Sequence, residues 1–329
     1  MGFTPMAMAN PPKPIGTCKI LREALTLSTK NVRLILPILL ISILSTFLLV
    51  LGRYLAFRPL LVDLFLKSTS LSNYKPGSPE FSNLLAAIQK DGKELAAEGV
   101  IFFIVAFFIQ SLLQITMIHA ITTTYSGELL TQKELFLKVK RGLKGPMITQ
   151  VYAALLNLGY LLILLTLVVV SVFMSQLSIA LVILGLFVVL LALVFFPYLA
   201  TVLSLSAVIS VAEEGCYGVG AIGRAVELIK GKKKQAISII LLCSVLEYAI
   251  GKARIMAVAS CPLSTAAQAA AGFVYAALLT ALTLFTLSTI TVLYDECKRD
   301  HGEVTIGMAG DYAYTILSTA DAPVNKELP

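Results

Sequence analysis

The chain has 329 residues, of which 57% are hydrophobic and only 14% are charged, and its formal net charge is +7. Soluble domains usually carry about 25% charged residues, and several apolar runs here are long enough to cross a bilayer, so the composition excludes an ordinary soluble protein. The Lys and Arg residues cluster beside the apolar runs, which favours anionic lipid headgroups over nucleic acid as their partner.

In chain order, residues 1–15 predict a disordered lead, and residues 17–31 predict an amphipathic helix lying on the membrane surface. Ser78 and Pro79 predict the start of a short surface helix, because these residue types favour the N-cap and first positions of helices. The basic segment 124–146 predicts one or two further amphipathic turns. Six spans are predicted, at about 34–57, 99–123, 147–173, 178–211, 235–252 and 266–293.

The prediction is therefore an all-α integral membrane protein with six transmembrane helices and interfacial amphipathic helices. Its membrane domain is predicted to cover residues 16–298, followed by a mostly disordered tail over 299–329. The acidic run near the end of the chain predicts a solvated end; it comprises Asp295, Glu296, Asp300 and Glu303.

Orientation follows from the distribution of basic residues, because cytoplasmic loops carry an excess of Lys and Arg. Segments 1–33, 124–146 and 212–234 each contain five Lys or Arg residues. They predict an integral, multi-pass protein of the plasma membrane or an endomembrane with both termini in the cytosol, although Arg53 and Arg58 in an outer loop argue against this arrangement.

An internal repeat is indicated by the first amphipathic helix and the one near residue 221, which align without a gap. Ile20 then meets Ala221, Ala24 meets Ala225, and both helices end in a basic cluster. A looser middle copy places Val139 on Ala225. These matches favour three repeated helix-hairpin units; the alternative is that any basic amphipathic helix before a span looks similar.

Two segments carry a family resemblance. Residues 208–237, VISVAEEGCYGVGAIGRAVELIKGKKKQAI, resemble the linker before the fifth span in the membrane domain of some bacterial glycerophosphodiester phosphodiesterases. Residues 18–36, CKILREALTLSTKNVRLIL, resemble the opening helix of that domain. The whole chain is most similar to uncharacterised six-span proteins of land plants. The resemblance implies a membrane domain, and it does not extend to the separate phosphodiesterase domain.

Glu247 is the one acidic residue predicted well inside a span. A charge there costs on the order of 2.5–3.5 kcal/mol, so its side chain should face water or a polar partner. The candidate partners are polar residues of other spans or cations toward the outer end of its own: Gln110, Gln114, Asn157, Lys252 and Arg254. His119, near the inner end of the second span, is a further candidate polar contact within the bundle.

The densest basic run surrounds a glycine-rich turn. Gly218, Gly220 and Gly223 match GxGxxG, but no βαβ unit surrounds them, so we interpret them as a turn into the amphipathic helix and not as a dinucleotide site. The cations predict topology and, as a second function, contact with anionic lipid on the cytosolic face; they are Arg224, Lys230, Lys232, Lys233 and Lys234.

Enzyme chemistry has little support in the sequence. Only two His residues are present, no nucleophile or metal-binding motif is recognisable, and no cofactor is predicted. We therefore expect a non-enzymatic membrane protein with a scaffolding, membrane-organising or lipid-associated role. The alternative is a small transporter or channel that uses Glu247 in its pathway.

Overall fold

The computed structural model describes residues 16–71, 74, 77–128, 130–174, 179–260 and 265–303. Over these residues it contains nine helices and no strand. The helices are α1 (Thr17–Lys30), α2 (Val32–Leu71), α3 (Pro79–Tyr125), α4 (Gln132–Gly142), α5 (Lys144–Met174), α6 (Ile179–Ala212), α7 (Val219–Ile229), α8 (Lys233–Ser260) and α9 (Thr265–Asp300). The predicted lead, and the predicted tail beyond residue 303, lie outside the described residues.

The helices follow one order three times: a short amphipathic helix, then two long helices. The six long helices are each long and apolar enough to cross a membrane, which confirms the six predicted spans. The short helices α1, α4 and α7 have 14, 11 and 11 residues. Each long pair forms an antiparallel hairpin, so all short helices lie at one end of the bundle, called here the short-helix end. The opposite end is the hairpin end.

The three units pack in a cyclic order. Helices α3, α6 and α9, the second long helix of each unit, contact one another at the centre. The short helix of each unit packs on the central helix of the preceding unit, so α4 contacts α3, α7 contacts α6, and α1 closes the cycle on α9. The first long helix of each unit also packs on the central helix of the preceding unit in the cycle: α2 contacts α9, α5 contacts α3, and α8 contacts α6.

The buried core lies at the short-helix end. It is formed by the C-terminal halves of α3, α6 and α9 and by the inner faces of the short helices. Many hydroxyl groups lie in these central halves, and several of them bond back to their own helix, as Thr124 does to the carbonyl of Ala120 at 2.7 Å. Backbone bonding of this kind lets hydroxyl side chains enter an apolar bundle without unsatisfied hydrogen bonds.

The short helices bury the positions that the sequence alignment pairs. Ile20 and Ala24 of α1 are fully buried, and so are the aligned Ala221 and Ala225 of α7. In α4 the matching Val139 is also buried, which fits the middle copy. The α4 helix begins with a capping box in which the side chains and backbone groups of Thr131 and Glu134 bond reciprocally. Such a box fixes a helix start by satisfying backbone N–H groups.

The chain turns sharply between α6 and α7, where Gly215 and Gly218 have φ angles of +83° and +62°. Only glycine adopts such angles without steric cost, which agrees with the predicted turn. The Gly218 N–H donates to the Thr149 hydroxyl at 2.8 Å. The turn therefore fixes the start of α7 against α5, the first long helix of the preceding unit.

Two sequence-based boundaries are wrong. The surface helix predicted to begin at Ser78 is not separate, because α3 runs unbroken from Pro79 to Tyr125. Its predicted cap is correct, since the Ser78 hydroxyl accepts a hydrogen bond from the Phe81 N–H at 3.1 Å. Likewise α2 continues past the predicted end near residue 57, to Leu71. The two long helices pack against each other, and this pairing sustains them past their apolar spans.

Candidate functional site

A polar cavity lies between α2, α3, α8 and α9, midway along the bundle. Its volume is about 220 Å³, and Glu247 of α8 reaches it. Gln110 and Gln114, one helical turn apart on α3, also line it. The structure thus brings together the acid and two of its predicted partners. The remaining lining is Ser42 and Thr46 from α2, Leu113 and Met117 from α3, and Leu279, Thr280 and Thr283 from α9.

Only some of the polar groups that line this cavity form hydrogen bonds with each other. The Gln110 amide donates to the Thr46 hydroxyl at 3.3 Å. Thr280 and Thr283 donate to carbonyls of their own helix, which leaves their oxygen lone pairs available as acceptors. The hydroxyl of Ser42 is buried and has no hydrogen-bond partner among the described residues. A buried polar group without a partner is unusual and indicates a place for water or a ligand.

Glu247 forms no ion pair within the described part of the chain, and its side chain is exposed as well as lining the cavity. The two cations below it, proposed as partners, are held elsewhere. Lys252 lies over the Tyr248 ring at 5.6 Å, and Arg254 lies over the Tyr275 ring at 4.7 Å. The carboxyl group is therefore free to meet water, a proton or a solute.

Two other predicted contacts lie outside the cavity. His119 is buried at the short-helix end, where its ring lies near Gly142 at the end of α4. Its Nε2 atom has no hydrogen-bond partner in the part of the chain that the structure describes. Asn157 is exposed on α5, which packs mainly on α6, so the expectation that Asn157 contacts the bundle interior is wrong. The sequence could not show which face of α5 is covered, since that helix is apolar on all sides.

The basic run divides into two groups. Lys232 is only 7% exposed and pairs with Glu296 at 2.7 Å and with Asp300 at 3.0 Å. Its assignment to lipid contact is therefore wrong, because its ammonium group is enclosed by protein carboxylates. Arg224 also pairs with protein carboxylates, among them Glu303. Of the five cations predicted to contact lipid, three are exposed: Lys230, Lys233 and Lys234.

The acidic run near the chain end is only partly a solvated end, because Asp300 is exposed whereas Asp295 and Glu296 are buried, contrary to the sequence-based interpretation. Asp295 and Glu296 are 8% and 4% exposed. Glu296 holds both Lys232 and Arg299, and Asp295 accepts a hydrogen bond from Tyr125 of α3 at 3.2 Å. These side chains lie on the last turns of α9, which the surrounding helices enclose.

Glu213, at the end of α6, joins this network and was not singled out from the sequence. Its carboxylate accepts a hydrogen bond from the Tyr294 hydroxyl at 2.7 Å and pairs with Lys298 at 3.3 Å. The Arg224 guanidinium hydrogen-bonds Glu303 and lowers the pKa of that carboxyl. The network therefore ties α6, α7 and α9 together at the short-helix end, and its arrangement is that of a structural clamp.

The fold and the cavity define the class of this chain: it is a multi-pass helical membrane protein with a polar site inside the bundle. The chain belongs to the family described as Domain of unknown function (DUF8558), which matches residues 12–307. No match was found among curated proteins or among solved structures.

Proposed function

We propose that the protein moves a small cation, or a proton, across its membrane through the cavity at Glu247. One observation carries the proposal: an acidic side chain without an ion-pair partner in the described structure meets amide and hydroxyl groups around a cavity of about 220 Å³ inside the bundle. Carboxylate, amide and hydroxyl oxygens are the ligands that hard cations prefer. Of the two functions that the sequence leaves open, this geometry supports transport best.

The free-energy cost of placing the Glu247 carboxylate within the membrane also supports the proposal. A carboxylate at this depth costs on the order of 2.5–3.5 kcal/mol on insertion scales, and no described cation offsets it. The ionised form therefore requires water or a bound cation, and a protonated form would release its proton when the site opens. Both states belong to the chemistry of an intramembrane carrier site.

The test is the access of water to position 247. In a background that lacks Cys18, Cys216 and Cys261, we would introduce Glu247→Cys and treat intact membranes with a small polar thiol reagent. Cys243 and Cys297 can stay, because both are buried. Val245→Cys is the matched control, since Val245 is 58% exposed at nearly the same depth but does not line the cavity.

We expect rapid labelling of Glu247→Cys and none of Val245→Cys. Glu247→Gln in proteoliposomes should then abolish cation or proton flux while the protein remains folded. If neither cysteine is labelled in folded protein, the cavity is sealed from water and the transport proposal fails.

A second function is supported by the exposed lysines. Lys230, Lys233 and Lys234 face outward at the short-helix end, where each contributes roughly 1 kcal/mol near an anionic surface. They support a non-enzymatic, membrane-organising role on a cytosolic leaflet with both termini in the cytosol. The triple Lys→Gln variant should lose binding or clustering of phosphatidylserine in vesicles; unchanged lipid contacts would remove this second function.

We also propose that the chain is related to six-span proteins of land plants and to the membrane domain of bacterial glycerophosphodiester phosphodiesterases. This relation is compatible with the second function, because that domain is also embedded in a membrane.

A further inference from the structure

Two further cavities lie at the hairpin end, separate from the Glu247 cavity. Their volumes are about 610 Å³ and 530 Å³. They adjoin, because Val50, Tyr54, Arg254 and Tyr275 line both. Together they form a cleft between α2, α8 and α9, called here the arginine cleft, which lies about one helical turn from the Glu247 cavity.

Three guanidinium groups line the arginine cleft, those of Arg53, Arg58 and Arg254. Among the described residues, none of the three has a carboxylate within ion-pair distance. The nearest acid along α2, Asp63, is held by Lys67 at 2.7 Å. The cleft therefore has a concentrated positive charge that the described part of the protein does not neutralise.

Aromatic side chains hold two of these arginines in place. Arg254 lies over the Tyr275 ring at 4.7 Å, and Arg58 lies over the Tyr54 ring at 5.1 Å. The Tyr54 hydroxyl also contacts the Gln268 side chain. The Arg58 guanidinium also donates one N–H to the Tyr54 hydroxyl. The remaining N–H groups of these arginines can bind phosphate in a bidentate manner.

The rest of the cleft wall is apolar. Phe47, Leu51 and Leu55 of α2 face Ile255 of α8 and Ala269 of α9. A soluble anion would use the arginines and leave this wall in contact with water, whereas an acyl chain would cover it. The cleft also opens between helices toward the surrounding bilayer, since Leu55 and Ile255 are each more than half exposed.

From these contacts we infer that the arginine cleft binds an anionic phospholipid, with its phosphate at the three arginines and an acyl chain along the apolar wall. The inference accounts for Arg53 and Arg58, which oppose the positive-inside pattern elsewhere in the sequence. It is independent of the proposed transport function, because no residue of the Glu247 cavity takes part.

The experiment uses the full chain in detergent micelles with phosphatidylglycerol, and with phosphatidylcholine as the uncharged reference. The test variant carries Arg53→Gln, Arg58→Gln and Arg254→Gln. The control variant carries Lys133→Gln, Lys140→Gln and Arg141→Gln, which removes the same charge from exposed positions of α4 at the opposite end. We expect phosphatidylglycerol to bind the arginine variant about tenfold or more weakly than the natural protein, since each charge-assisted contact is worth about that factor.

A second variant separates a lipid from a free anion and guards against misfolding of the triple variant. Ala269→Phe keeps all three arginines but fills the apolar wall. It should weaken phosphatidylglycerol binding and leave binding of inorganic phosphate unchanged. The inference is overturned if the arginine variant binds phosphatidylglycerol as the natural protein does. It is equally overturned if Ala269→Phe has no effect and inorganic phosphate competes fully with the lipid, because the occupant would then be a soluble anion.

Discussion

The buried ion pair between Lys232 and Glu296 gives the sharpest stability prediction. Their side chains are 6% and 4% exposed, and Nζ lies 2.7 Å from Oε1. At an effective dielectric constant of about 20, two charges at this distance attract by about 6 kcal/mol, and desolvation offsets most of that gain. Removing one partner of a buried pair typically costs about 3–5 kcal/mol, because the other charge stays buried without compensation.

Lys232→Met should therefore lower the free energy of unfolding by about 3 kcal/mol, the lower end of that range. The lower end applies because Arg299 also contacts Glu296 and continues to compensate its charge. The double variant Lys232→Met, Glu296→Met should lose less unfolding free energy than Lys232→Met alone, because neither charge of the pair is then left buried without its partner. Asp300 and Arg299, the partners left behind, are 41% and 29% exposed and can hydrate.

The assay must suit a chain without tryptophan. Unfolding by a denaturing detergent can be followed by circular dichroism, and thermal unfolding by a thiol-reactive dye that reports exposure of the buried Cys243 and Cys297. Lys233→Met is the matched control, because Lys233 is the exposed neighbour of Lys232. If Lys232→Met destabilises no more than Lys233→Met, the pair does not hold α9 to the α7–α8 junction and the clamp interpretation is wrong.

Three further changes should alter stability by separate mechanisms. Gly218→Ala should lower the free energy of unfolding by about 2 kcal/mol, because φ at this position is positive. An unfolding midpoint equal to that of the natural protein would contradict this prediction. Thr131→Ala removes the capping box with Glu134 and should cost about 1 kcal/mol, with loss of helical signal confined to the first turns of α4 by hydrogen exchange. Arg224 lowers the pKa of Glu303, so this pair stabilises the fold fully above about pH 4.5 and progressively less as the pH falls below it. The melting temperatures of the natural protein and Glu303→Gln should therefore differ at neutral pH and converge as the pH falls below about 4.5. A difference that stays constant with pH would refute this prediction.

The sequence predicts the long-range order of this fold because the signals are local and repeated. Apolar runs locate the six spans, and basic amphipathic segments locate α1, α4 and α7. Glu247, Gln110 and Gln114 could also be placed together, since each is a polar residue that a span must bury or hydrate. These predictions need only the spacing within one helix and the cost of a polar group in a membrane.

The misassigned residues depend on contacts between distant parts of the chain. Lys232 looks like its exposed neighbours Lys233 and Lys234, and only the approach of α9 encloses it. Asp295 and Glu296 sit among mixed charges that usually mark an exposed helix end. Their burial follows from Tyr125 and Lys232, which are 170 and 64 residues away. No local pattern carries that information.

The cyclic packing has a consequence for the order in which the protein is made. Helix α1 leaves the ribosome first, yet its partner α9 is synthesised last. Until then the apolar side chains of Ile20, Ala24 and Leu27 lack their main partner and have only the smaller contacts of α1 with α2 and α3, so the membrane interface must shelter much of this face. Helix α1, the first of the described helices, is therefore fully enclosed only after α9 has been made, and assembly is complete only when these two helices meet.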